Sequence, residues 1–198
     1  MSIRTDLDII QQWIAAESRV LDLACGDGAL LKNLKHHKQV EGYGLEIDPD
    51  KITAAITNGI NVVETDLNKG LSQFPDNSFD TVVMTQALQV MRFPHLVLEE
   101  MLRIGKECIV TFPNFGNWRA RSSLFIHGRM PITKQLTYQW YDTPNIHFCT
   151  VKDFEALCDE KNIHVIHKEF VAERIPDKQI KGIWPNLFSD TAIYLLSK

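Results

Sequence analysis

The chain has 198 residues, of which 44% are hydrophobic and 23% charged, with a net charge of −4. This is the balance of one folded domain spanning 1–198 with a full core, not of a disordered segment, and its acidity makes nucleic acid an unlikely main partner. No apolar run reaches the roughly 18 residues of a membrane span. Asp6 and Asp8 stand where a secretory leader would have its apolar core, so the expected location is cytoplasmic.

In chain order, Leu7, Ile10, Trp13 and Ile14 fall on one helical face, with Thr5 placed to cap the helix. Strands are predicted at Arg19–Ala24, Val40–Glu46, Ile60–Glu64, Phe79–Met84 and Cys108–Phe112. Helices over Ala29–His37, Pro49–Asn58 and Pro94–Ile104 separate them. The runs Thr81–Met84 and Cys108–Val110 are continuously apolar, as central strands buried on both faces are. Strand–helix alternation of this kind predicts an α/β fold, a mostly parallel sheet with helices on both faces. A helix near Val151–Lys161 leads to a strand at Ile163–Val171, and a last strand is expected at Ala192–Leu196. Cys25, Cys108, Cys149 and Cys158 lie far apart with no C-x-x-C pair, so they read as small apolar residues rather than zinc ligands or a disulfide framework.

The most informative stretch is Val20–Gly28 with Tyr43–Glu46. An apolar strand enters a tight glycine turn, a helix returns, and a second strand ends in an acid, which is half of a mononucleotide-binding unit. Gly26 and Gly28 allow the sharp turn and close approach to a ligand. Glu46, twenty residues after Gly26, can accept hydrogen bonds from ribose hydroxyls. A dinucleotide site would read G-x-G-x-x-G, but from Gly26 the chain reads G-D-G-A-L-L, with Leu31 in the third glycine place. Asp22 and Asp27 would repel a pyrophosphate and suit a cationic ligand. Adenosine with a cationic tail describes S-adenosylmethionine. The competing reading is a plain strand–turn–helix with structural glycines.

At these residues the sequence resembles class I S-adenosylmethionine-dependent methyltransferases, with Ala24 where the first glycine of their motif is usual. The resemblance implies a Rossmann-like, seven-stranded sheet ending in an antiparallel hairpin, and a first helix across the cofactor entrance. It implies that Glu46 holds the ribose, Asp66 contacts the adenine amino group, and Asp22 lies near the methionine part. A narrower resemblance covers blocks along the whole chain, among them Tyr43–Pro49, Val83–Gln89, Thr111–Gly116 and Thr143–Cys149. These blocks resemble the MetW family of methionine biosynthesis. That resemblance implies a methyltransferase-fold protein working with a homoserine O-acyltransferase.

Residues 114–150 form an insertion after the fifth strand, longer than α/β connections usually are. Arg119, Arg121, Arg129 and Lys134 oppose Asp142 there, among aromatic residues that include Trp118, Phe125, Tyr138, Trp140 and Tyr141. It reads as a lid over the ligand edge, serving a substrate or a partner. An RNA substrate is the weaker reading, stacking on the aromatics with phosphates on Arg119 and Arg121. The second contact candidate is the loop Arg174–Phe188 with Trp184, whose plain alternative is packing under its own hairpin.

No acceptor motif is visible after the fourth strand, where the chain reads Thr85–Leu88. Gln86 and Asn114 are candidate polar groups of the pocket. His147, Tyr138 and Tyr141 are the candidate bases should a small-molecule methyl acceptor need deprotonating, against a structural reading for His147. No metal is expected. His36 and His37 sit at a helix end, while His164 and His167 are three apart on a strand and point to opposite faces.

Overall fold

The computed structural model describes residues 5–133, 136–172, 174 and 177–198. The side chain of Thr5 and all of Lys134 lie outside the described residues.

Seven strands form one sheet in the order β3-β2-β1-β4-β5-β7-β6. They are β1 (Arg19–Leu23), β2 (Glu41–Glu46), β3 (Asn61–Glu64), β4 (Phe79–Thr85), β5 (Gly105–Pro113), β6 (His164–Val171) and β7 (Thr191–Ser197). The first five are mutually parallel, while β7 runs antiparallel to both β5 and β6. The expected final hairpin is present, with its second strand inserted inside so that β6 forms the edge. β5 starts earlier than its apolar run, because Gly105 and Glu107 already pair with Phe79 and Thr81.

Side-chain alternation along the strands feeds two cores. Leu21, Leu23, Val82, Met84, Val110 and Phe112 face α4 (Pro94–Ile104) and α6 (Val151–Glu160). Val20, Val83, Ile109, Ile193 and Leu195 face α1 (Thr5–Trp13), α2 (Ala29–Lys38) and α3 (Pro49–Thr57). Val82, Val83, Met84, Cys108, Ile109 and Val110 are fully buried, as central strands require. Each fully buried aliphatic side chain contributes about 1.5–3 kcal/mol. Phe154 of α6 packs its ring 4.8 Å from Phe112 and 4.7 Å from Tyr194, joining α6 to β5 and β7.

Local signals place the helices. Asp48 caps α3 by accepting from the Asp50 and Lys51 amides, with Pro49 at the first helical position. Thr150 and Asp153 form a reciprocal capping box on α6. Ile10 of α1 and Ile14 just after it are buried against α2 and β7, so this helix has a packing role on the sheet.

Leu23 pairs with Leu45 on one side and Met84 on the other, so β1, β2 and β4 end together. The chain moves outward from β1 through β2 to β3, then returns to β4 on β1's other side. The carboxyl ends of β1 and β4 therefore flank the switch point where open α/β sheets hold ligands.

Candidate functional site

The turn after β1 is built from left-handed backbone. Ala24, Gly26 and Gly28 have φ of 55°, 59° and 74°. A Cβ on Gly28 would stand 2.9 Å from Ile60 Cγ1, so glycine here lets α2 sit close to the start of β3. A Cβ on Gly26 would meet nothing within 4 Å, so this glycine answers to the backbone angle and to open space above the turn. Asp27 Oδ1 accepts from Ala29 N at 3.2 Å, and its carbonyl accepts from Asn58 Nδ2 at 2.9 Å.

Glu46 is bound into the same turn. Gly26 N donates to its Oε2 at 2.8 Å, and the amides of Ile47 and Asp48 donate to Oε1 at 2.9 and 3.1 Å. Glu46 as a whole is only 5% exposed. A carboxylate has about four acceptor positions, so Oε2 keeps capacity for a ligand hydroxyl beside Gly26. The twenty-residue spacing thus has a geometric basis: the end of β2 reaches across to the glycine turn of β1.

Asp22 is buried on β1 directly before the turn. The electrostatics are visible in Cys25, whose thiol is pushed up to about 12, first by burial and then by the Asp22, Glu46 and Asp27 carboxylates. Cys25 packs against β2, where a Cβ on Gly44 would lie 2.5 Å from its Sγ. Three carboxylates, those of Asp22, Asp27 and Glu46, thus stand around the turn, an arrangement that suits a cationic group better than a pyrophosphate.

At the end of β4, Gln86 repeats the pattern of Ala24 with φ 54°. Its amide donates to the carbonyl and Oγ1 of Thr111, both at 3.0 Å, and its carbonyl accepts from Gln89 Nε2 at 2.8 Å. Two neighbouring strands thus end in non-glycine residues held in the left-handed region, a conformation that concentrates at functional sites. Asp66, half-buried after β3, caps the 3₁₀ turn Leu67–Lys69 by accepting from Asn68 N at 3.0 Å. Thr65 N donates to Glu46 O at 2.8 Å, which ties that segment to the end of β2.

The insertion contains α5 (Trp118–Ser122), a π-helical turn over Ser123–His127, and irregular chain returning to α6. Its neck closes through Phe115 N donating to Cys149 O at 3.1 Å and through the Phe115 and Phe148 rings, 4.9 Å apart. The returning limb is fastened to the turn after β4, where the Ile146 and His147 amides donate to Gln89 O at 2.9 and 3.0 Å. His147 Nε2 lies 3.4 Å from the Arg92 carbonyl. Tyr138 and Tyr141 are 50% and 70% exposed.

Sequence reasoning missed how the insertion is held to the loop before β7. Asn114, 4% exposed, donates through Nδ2 to the Ser189 carbonyl at 3.0 Å and to Asn186 O at 3.2 Å. Its Oδ1 accepts from Gly116 N at 2.9 Å. Asp177, on α7 (Asp177–Ile180), is 1% exposed, pairs with Arg119 and accepts from Trp118 Nε1. Arg119 is thereby committed to a structural ion pair. Apart from the local bond to Gly116, these contacts span about sixty or more residues, so no local pattern announces them, and the sequence offers Asn114 only as a pocket group.

Among the described residues, no three of His, Cys, Asp and Glu gather as a metal site, and no helix is long and apolar enough to cross a membrane. On β6 the register shifts between Val165 and His167, interrupting the simple alternation expected for His164 and His167.

This sheet is the fold of class I S-adenosylmethionine-dependent methyltransferases. A SAM-dependent methyltransferase from Archaeoglobus fulgidus matches with a TM-score of 0.70 and 16% identity, over 98% of this chain and 92% of that one. One from Mesorhizobium loti matches at 0.69 and 17%, over 97% and 100%. At such identities the likeness is one of fold. The sequence model described as methionine biosynthesis protein MetW matches residues 4–196, and the chain belongs to that family. The bifunctional methionine biosynthesis protein MetXA/MetW of Rhodopirellula baltica is 33% identical over 207 residues, covering 98% of this chain and 32% of that protein. The chain thus spans about a third of that relative's length.

Proposed function

We propose that the chain binds S-adenosylmethionine between the carboxyl ends of β1 and β4 and serves methionine biosynthesis as the accessory of a homoserine O-acyltransferase. In this reading Glu46 takes the ribose, Asp66 the adenine amino group, and the negative turn around Asp22 the cationic end. Ala24, Gly26, Gly28 and Gln86 supply the backbone that lets the ligand approach. The residues fit the cofactor: Glu46 retains an acceptor position, the space over Gly26 is open, and the Asp22, Glu46 and Asp27 carboxylates grouped around the turn suit a sulfonium. When bound, the cofactor would supply an electrophilic methyl group.

The observation that carries the accessory role is the Rhodopirellula relative, whose name joins MetXA and MetW in one chain. Covalent fusion raises the effective concentration of two units that act together. Because the proposed ligand is a downstream product of the pathway, its occupancy would report methionine status to the acyltransferase. Mixed with the acyltransferase of the same organism, the chain should co-elute on a sizing column, and saturating S-adenosylmethionine should change acyl transfer by the complex. Separate elution removes the partnership; co-elution with a cofactor-independent rate removes the sensing.

A catalytic methyltransferase acting on a small molecule is the second reading. It is favoured by a cavity of about 200 Å³ where the insertion meets the end of β5, lined by Asn117, Thr133, Leu136, Arg174 and Asp190. Formation of S-adenosylhomocysteine with an added metabolite would decide for it.

A further inference from the structure

The chain before β7 carries α7 and then α8 (Pro185–Phe188), and beside α8 runs an open groove of about 450 Å³. Ile183, Trp184 and Leu187 form its apolar side, while Arg121, Lys152 and Glu155 supply the charge. Trp184 does not pack under its own hairpin. It lies against Phe188 with ring centroids 6.2 Å apart and remains 63% exposed, and Ile183 is 70% exposed. Arg121 carries this surface onto the insertion. One turn further along the same helical segment stands Phe125, 93% exposed, followed by Ile126 at 68%. Phe125 follows Arg121 of the groove lining by four residues, in the π-helical turn that continues α5, so its exposed ring lies close in the chain to the groove's Arg121 edge. Exposed aromatics beside an arginine are the composition of interface cores, and apolar surface of this kind marks an interaction site.

The charges indicate the occupant. Glu155 is already engaged, accepting from Lys168 Nζ at 2.7 Å and from the Tyr194 hydroxyl at 3.1 Å. Arg121 and Lys152 have no carboxylate partner among the described residues; the Arg121 Nε donates instead to the Gly116 carbonyl at 2.6 Å. A second copy docking by two-fold symmetry would have to meet these cations with other groups of the same patch, and Glu155, the carboxylate in the groove lining, is already engaged by Lys168 and Tyr194. The complementary surface is a different protein presenting an aromatic or aliphatic anchor flanked by carboxylates. The groove wall is also fixed in advance: Asn114, at the end of β5, holds the Pro185 and Asn186 carbonyls at 3.4 and 3.2 Å. A wall already ordered has little freedom left to lose on association.

We propose that the groove between Trp184 and Arg121, with the Phe125 knob, is the face on which the acyltransferase docks. This rests on the accessory role proposed above and adds the surface and the chemistry of the contact.

The test uses the full chain and the acyltransferase of the same organism, with affinity measured by calorimetry. Trp184→Asp and Phe125→Asp are each expected to weaken association by about 30-fold or more, the size of an interface hot spot. Val63→Asp, on an equally apolar residue 55% exposed at the far edge of the sheet, should stay within about threefold. Unfolding midpoints of all three should match the parent; if Trp184→Asp does not fold, the more exposed Phe125 decides. Association of the parent with undiminished binding by Phe125→Asp overturns the docking face and leaves the partnership standing. No association of the parent overturns both. A parent dimer that Trp184→Asp converts to monomer assigns the groove to contacts between copies and overturns the proposal.

Discussion

Ala24 is held at φ 55° where the motif of related folds has glycine. A left-handed alanine costs about 1–2 kcal/mol over glycine, partly offset by the freedom glycine gains in the unfolded chain. Ala24→Gly is therefore expected to stabilise the protein by about 0.5–1 kcal/mol, read as a higher urea midpoint; a lower midpoint would mean that the alanine methyl makes contacts worth more than the strain. Glu46 has two duties. Its carboxylate satisfies three amides around the turn, besides the ribose role proposed for it. Glu46→Ala should reduce S-adenosylmethionine affinity at least tenfold (about 1.4 kcal/mol) and also lower stability by about 1–3 kcal/mol, since the amides lose their acceptor. Calorimetry and thermal melting on one sample separate the two effects, and undiminished affinity would refute the ribose assignment.

At the scale of elements, the insertion and the loop before β7 act as one body because Asp177 and Asn114 join them. Asp177→Ala removes a carboxylate 1% exposed and leaves Arg119, itself 23% exposed, without its counter-charge. Breaking a buried pair from one side costs about 3–5 kcal/mol, and the partial exposure of Arg119 brings the expectation to about 2–3 kcal/mol. Denaturant unfolding measures it; a loss below about 0.5 kcal/mol would show the pair to be incidental. This arrangement also weakens the RNA reading, since Arg119 is no longer free to meet a phosphate. The sheet was legible because its signals are local: apolar runs make β4 and β5, Asp48-Pro49 starts α3, and the strand–turn–acid pattern marks the ends of β1 and β2. The fastening of the insertion was not, because an asparagine that holds carbonyls more than seventy residues away has no periodic signature. Likewise, Gln89 in Val83–Gln89 belonged to a recognised block, yet its burial and its hold on Ile146 and His147 emerge only from folding.

On the scale of the whole molecule, the parts separate by location. The glycine turn and Glu46 lie at the β1–β4 switch point, while the Trp184 groove lies beside α6 and α8. Asn114, at the end of β5, connects the strand layer to the groove wall. Under the two proposals taken together, the protein would read a small molecule at one place and address a protein at another. The sequence blocks were sufficient for the family, whereas the proposed contact surface rests on exposures that follow from tertiary packing. The most direct test is the acyl-transfer rate of the same organism's homoserine O-acyltransferase with and without this protein. Clear activation, growing with added protein to a plateau, is predicted; an unchanged rate at saturating protein would contradict the accessory role and favour a free-standing methyltransferase.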